Sequence, residues 1–299
     1  MDLKEKLKKN KIVHEVILFE KLLKRNFLYY LPKGFLHKRL YYKVLHKKLN
    51  LRNPKDFNEK IQYLMLNEYG KKEAELSDKY LVRNYVKDRG LEKNLIKLYK
   101  KYDDVEQINL EELPDKFVIK ANNGCGNVFI CRGKKEFNLE ECKKRLKRAL
   151  KINFAKENFE YHYKYIKPCI VCEEYLDDKV NVAPVDYKFV CFDGKPNCIL
   201  VCSDRANKLK LDYYDLNWNY LEYSKKEYRN EEQMERPSNL EEMIKVAEIL
   251  SKGHKFVRVD LYDVNNKVYF GEMTFTPAAG TIYYNTQESL DYFGSLLKL

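Results

Sequence analysis

The sequence predicts an α+β protein with two α+β lobes and a helical, basic N-terminal segment. Three observations carry this prediction. Strand-like apolar runs at 116–131, 168–176, 186–203 and 256–276 are interspersed with helical stretches at 57–67, 76–89, 138–152 and 239–252. Asp193-Gly194, between KFVCF and KPNCILVC, has the turn chemistry of a hairpin, which makes the pairing antiparallel. The 299 residues hold no internal repeat, low-complexity tract or Gly/Ser linker, so the lobes are expected to pack tightly. The expected organisation is a basic segment at 1–50, a helical or mixed lobe at 51–112, a small mixed subdomain at 113–175 and a larger antiparallel subdomain at 176–299.

The first segment holds nearly all of the net charge of +12. Residues 1–50 carry 14 Lys and Arg against 4 Asp and Glu, and the remainder carries 43 against 41. Apolar residues recur there at helical spacing, predicting helices at 2–29 and 34–48. No stretch approaches the roughly 18 uninterrupted apolar residues of a membrane span. Two readings stay open: a basic amphipathic helix lying on an anionic leaflet or acidic partner, and a helical lobe that packs its apolar stripe on the protein and leaves its lysines in water.

Further along, LSDKYLVRNYV places Lys79 on an expected helix. The run LPDKFVIKANNGCGNVFI at 113–130 is an apolar strand ending in Lys120, then Asn122, Asn123, Gly124, Cys125, Gly126 and Asn127 before a second strand. Glycines let backbone N–H groups approach an anion, so this loop is a candidate phosphate cradle, although it lacks the Walker pattern and plain turn chemistry would read the same way. CIVCEEYLDD at 169–178 closes a strand on Glu173 and Glu174, followed by Tyr175 and Leu176. The stretch 204–236 is polar, Tyr-rich and irregular, an expected excursion over the site, and Pro237-Ser238 opens the helix at 239–252.

The most informative stretch is FVRVDLYDVNNKVYFGEMTFT at 256–276. Period-2 alternation puts Val257, Val259 and Leu261 on one face and Arg258 and Asp260 on the other. A three-residue loop of Asn265, Asn266 and Lys267 sets Asp260 opposite Glu272 and Arg258 opposite Thr274. Two facing carboxylates need a cation between them: a divalent metal, or Arg258 itself.

Other chemistry finds little support. The eight cysteines, in a long chain without a recognisable signal peptide, read as reduced thiols, and the odd offset in Cys169-x2-Cys172 points the pair to opposite faces of a strand, against zinc. The five histidines are scattered without ligand spacing. A hydrophobic share of 44% and an aromatic share of 14% exclude a disordered chain despite 34% charged residues.

In order, the Lys120 strand with its glycine loop, EEYL at 173–176, DYKFVCFDGKP at 186–196, RVDLY at 258–262 and GEMTFTP at 271–277 resemble the ATP-grasp superfamily. The chain looks most like its TupA-like group, associated with teichuronopeptide and capsular polysaccharide gene sets, and the resemblance runs from FNEK at 57–60 to the C-terminus. It implies ATP and magnesium as cofactors, bound between the lobes of an ATP-grasp fold. Lys120 would hold ATP phosphates, with Asn122, Asn123, Gly124, Gly126 and Asn127 folded over them and Lys79 reaching them from its helix. Glu173, Glu174, Tyr175 and Leu176 match the adenine hinge, with acids meeting ribose hydroxyls. Lys188 would face the nucleotide, Arg258 would bind the transferred phosphate, and Asp260 and Glu272 would ligate magnesium. Thr274 stands where many members have Asn, which leaves metal affinity and stoichiometry open.

The resemblance further implies a cytoplasmic ATP-dependent carboxylate–amine ligase that works through an acyl phosphate. Its partners would be a small-molecule or sugar-nucleotide carboxylate, such as a uronic acid or a peptide-like decoration of a surface polysaccharide, and an amine. Residues 1–50 would contact the inner face of the membrane or other polysaccharide-assembly proteins. A kinase on the same scaffold would share every ATP residue. A glycosyltransferase or an assembly protein without ATP chemistry is the third reading, although the chain has no Asp-x-Asp. No nucleic-acid partner is expected, because the basicity is terminal and no recognition module is present.

Overall fold

A computed structural model describes residues 31–124, 126–178, 184–203 and 209–299. The expected helix at 2–29 and Cys125 of the glycine loop lie outside these residues.

Helix α1 (Lys33–Leu45) turns Leu36, His37 and Tyr41 inward, and α2 (Phe57–Asn67) opens on Asp56, whose carboxylate accepts the Glu59 N–H at 2.9 Å. The described part of the basic segment therefore packs on the protein. The helix expected over 76–89 is instead two, α3 (Lys71–Ser77) and α4 (Val82–Asp88). Asp78 breaks it by accepting the N–H groups of Tyr80 and Leu81 at 2.8 and 3.2 Å, and the break carries Lys79 out of the helical frame.

A small antiparallel sheet follows, built from β1 (Leu98–Tyr102), β2 (Phe117–Ala121), β3 (Val128–Cys131) and β4 (Ile170–Glu174) in the order β1-β4-β2-β3. Helix α5 (Leu139–Ala149) covers it, packing Cys142 and Leu146 into a cluster with Phe117, Ile119 and Ile170. A short helix, α6 (Phe154–Glu157), and the 3-10 turn Tyr161–Tyr165 lead back to β4.

The larger sheet is antiparallel throughout: β5 (Asp186–Phe192), β6 (Lys195–Ser203), β7 (Lys210–Tyr214), β8 (Tyr220–Leu221), β9 (Phe256–Val264) and β10 (Lys267–Thr274), in the order β10-β9-β5-β6-β7-β8. Two of these strands correct the expectation that 204–236 is irregular. Polar composition concealed β7, where Asp212 is buried because Asn230 hydrogen-bonds it through its backbone N–H at 3.1 Å and through its side-chain amide.

Helix α7 (Leu240–Ser251) buries Met243, Val246 and Leu250 against Phe189, Val257, Val259 and Leu261 on one face of this sheet. On the other face, α2 and α8 (Gln287–Leu296), which the sequence reading did not anticipate, cover Val190, Phe192 and Phe256 through Phe57, Ile61 and Phe293. That second face is apolar only where the helices lie on it. Two residues further along the same strands it presents Lys188 and Arg258.

In the β9–β10 hairpin, Asp260 pairs with Glu272 and Arg258 with Thr274, as expected. The turn differs: Lys267 pairs with Val264, so the loop is Asn265-Asn266 alone, both at positive φ. A bulge between Phe270 and Glu272 restores the register. Gly271 occupies the bulge, where a Cβ would lie 2.9 Å from Tyr262 Cε2 and 3.0 Å from the Asp260 carbonyl oxygen. We predict that Gly271→Ala costs about 1–3 kcal/mol through this close approach. The check is a lower urea midpoint at unchanged slope; a midpoint equal to wild type would show that the bulge does not depend on the missing side chain.

Candidate active site

Lys188 on β5, Asp260 on β9 and Glu272 on β10 stand abreast, each the register partner of the next. Arg258, on the same face, donates from Nε to Asp260 Oδ1 and from Nη2 to Oδ2, both at 2.7 Å. Nη2 also reaches Thr274 Oγ1 at 3.0 Å and Glu272 Oε1 at 3.3 Å. Lys188 pairs with Asp260 and, at 3.3 Å, with Asp186, and Lys79 pairs with Glu272 Oε2 at 3.4 Å. Burial alone would push the Glu272 carboxyl up, but Lys79, Lys188 and Arg258 outweigh it and hold the group far below the usual range, so it is ionised. Burial likewise opposes the Arg258 charge, and Asp260 and Glu272 more than restore it. Arg258 Nη2 thus bridges the two acids.

Above this floor lies a cavity of about 320 Å³ between the sheets, with Lys79, Lys120, Lys188, Asp260 and Glu272 at its polar end and Val118, Ile130, Leu176 and Tyr262 along its apolar wall. Gly124, Gly126, Glu173, Glu174 and Tyr175 also line it. The apolar wall and convergent cations suit a ligand with a flat ring and a polyanionic tail.

Several expected residues also have partners within the protein. The Glu173 carboxylate, 4% exposed, is taken up by Lys120 and, at 3.3 Å, by Arg83, whose other nitrogen donates to the Ile96 carbonyl at 2.8 Å. Its ion pair holds the Lys120 ammonium at the first cavity, which Glu173 also lines. Asn122 is fully buried; its amide donates to Asp78 at 2.7 Å and to the Lys167 carbonyl at 3.0 Å, and its carbonyl accepts the Cys169 N–H at 2.7 Å. Asn123 donates to the Ile152 carbonyl at 3.2 Å. Both side chains hold the loop's base, and neither they nor Asn127 line the cavity. Packing also requires a glycine at 124: a Cβ there would sit 2.0 Å from the Phe154 ring.

A second cavity, of about 380 Å³, shares Lys79, Gly124 and Glu272 with the first. Arg258 and Thr274 face this one, together with Glu160, Asn158, Tyr163 and Thr276. The Thr274 hydroxyl is committed there, accepting from Arg258 and donating to Glu272 at 3.2 Å. None of the residues 158–163 was singled out from the sequence. The available signal was an acid inside the aromatic run Phe159-Glu160-Tyr161-His162-Tyr163, a composition that buries a charge.

A family model described as TupA-like ATPgrasp matches residues 59–298. No protein among those of curated function matches the sequence. Among solved structures, the chain is similar to a D-alanine–D-alanine ligase from Bacillus anthracis at 18% identity and a TM-score of 0.42, over 81% of this chain and 68% of that one. It is also similar to an L-amino acid ligase from Bacillus licheniformis at 13% identity and a TM-score of 0.43, over 70% of this chain and 42% of that one. A third likeness is to the ATP-grasp ligase PsnB, at 11% identity and a TM-score of 0.41, over 80% and 67%.

The turn Tyr161–Tyr165 contributes one of the buried histidines that make the fold sensitive to acid. His162 is 1% exposed, neither ring nitrogen has a partner, and burial lowers it to about 3. Below the ordinary histidine value of about 6.5 the unfolded chain therefore binds a proton that the folded chain refuses, and stability falls as pH drops toward 3. We predict that His162→Phe, which keeps the ring contacts with Tyr69 and Tyr163, gains about 2 kcal/mol relative to wild type on going from pH 8 to pH 5. Denaturant unfolding at the two pH values checks this; parallel losses in both proteins would contradict it.

Proposed function

The chain belongs to the TupA-like ATP-grasp family, and on that premise we propose that it is an ATP-dependent carboxylate–amine ligase. The observation that carries the proposal is the meeting of two cavities at one charged wall. One has the cations and apolar slot for a nucleotide, and the other is lined by Arg258 and Glu160, so a phosphoryl donor and an acceptor can approach each other across Lys79 and Glu272. Lys120, held by Glu173, together with Lys79 and Lys188, would orient the phosphates, since phosphoryl transfer is chiefly positioning and charge neutralisation. A carboxylate oxygen attacking the γ-phosphorus gives an acyl phosphate and ADP. An amine then displaces phosphate, with the Arg258 guanidinium beside the developing oxyanion.

Asp260 and Glu272 fit magnesium by the chemistry of their donors: hard oxygens, abreast, at the polar end of the first cavity, with Glu272 held ionised. Bound there, magnesium would neutralise phosphate charge. Thr274, turned to the second cavity, is a less suitable third donor. The acceptor class, a uronic acid or peptide-like decoration of a surface polysaccharide, is supported by the family likeness. Docking of residues 1–50 on an anionic membrane face or on assembly proteins belongs to the same proposal. Among the described residues no helix is long and apolar enough to cross a membrane.

The test supplies Mg-ATP, UDP-glucuronate, glucuronate or galacturonate, and a pool of amino acids and small amines, followed by mass spectrometry. ADP with a condensed, water-losing product is expected; ADP with a phosphorylated acceptor and no need for amine would make the protein a kinase instead. Asp260→Asn and Glu272→Gln should each lower turnover about 10²–10³-fold, with the chain still folded. Wild-type turnover in either variant would remove these acids from the site.

A further inference from the structure

Glu160 is a buried acid in the second cavity that the reaction above does not use. It is 7% exposed, and no cationic side chain among the described residues balances it. The Thr276 hydroxyl donates to Oε1 and the Asn158 amide donates to Oε2 at 3.2 Å. Two neutral donors stabilise a carboxylate without supplying the positive charge it lacks. Ser77, 7% exposed, also lines this cavity, and its buried hydroxyl has no partner. A buried acid without a counter-ion, in a cavity that is also lined by Ser77, Arg258 and Glu272, is complementary to an ammonium group.

We propose that the second cavity is the site of the amine substrate and that Glu160 takes the ammonium proton before the amine attacks. This rests on the ligase reading. The ammonium passes one proton to the Glu160 carboxylate, and the freed nitrogen lone pair attacks the acyl carbon. The new C–N bond forms as the C–O bond to phosphate breaks with its electron pair, and the second N–H proton leaves with the phosphate. Burial raises Glu160 to about 7 against the hydrogen bonds from Thr276 and Asn158, so the group can both accept and release a proton near neutrality. The other ionisable groups facing this cavity are Lys79, Arg258, Glu272 and Tyr163.

Hydroxylamine separates the roles, because it is uncharged at neutral pH and needs no base. With Mg-ATP and the three uronic acids named above, Glu160→Gln should keep hydroxamate formation within about twofold. It should lose amide formation from glycine, lysine and ethanolamine by about 10²-fold or more at pH 7. Thr276→Val, which removes one donor from the carboxylate, should shift the rising limb of the wild-type amide pH profile to higher pH. Mg-ATP binding and the melting temperature show that each variant is folded. Equal loss with both nucleophiles, or no loss, overturns the role of Glu160 while leaving the ligase reading intact. A wild-type protein that makes neither hydroxamate nor amide removes the ligase reading and the base with it.

Discussion

The structure depends on one balanced array of charge on a sheet face that is otherwise apolar. Asp186, Asp260 and Glu272 meet Lys79, Lys188 and Arg258, three acids against three cations, beside the part of the sheet that α2 and α8 cover. Taking such groups from water is costly, and removing one member leaves an uncompensated partner at about 3–5 kcal/mol. Neutrality is what lets them sit at the end of a hydrophobic core. The two-point hold of Asp260 on Arg258 also fixes the plane of the guanidinium, leaving it facing the second cavity. Fold stability and acceptor chemistry therefore draw on the same contact.

Much of this was legible because period and register are local properties. Alternation in β9 and the length of the hairpin put Asp260 against Glu272, although the intermediate step was off: a two-residue turn and a bulge at Gly271 replace the three-residue loop and reach the same pairing. Two errors of one residue cancelled. Gly271 itself carried the signal, since a glycine inside an alternating strand marks a bulge or a close approach.

What the sequence concealed was the choice of tertiary partner. Glu173 reads as a free acid at a strand end until Lys120 and Arg83 are seen to claim both its oxygens. Asn122 and Asn123 read as part of a phosphate cradle, and their side chains stitch the loop to Asp78, Cys169 and Ile152, contacts made across 29 to 47 residues of chain. Strand β7 was lost because Asp212 looks solvent-facing until Asn230 pairs with it. Glu160 escaped for a related reason: the aromatic run around it signals burial, but its hydroxyl donor, Thr276, lies 116 residues away in the chain.

Lys79 links these elements into one device. Released from the helical frame by the Asp78 turn, it donates to the Gly124 carbonyl at 2.7 Å and pairs with Glu272, so a single ammonium spans the small-lobe loop and the large-lobe hairpin. Its own backbone N–H is tied to the Asn122 carbonyl, which fixes the lysine to the base of the same loop. Lys79, Gly124 and Glu272 thereby form the wall common to both cavities, and that wall is held by one cation with two oxygen partners, the carbonyl of the loop between β2 and β3 and the carboxylate on β10.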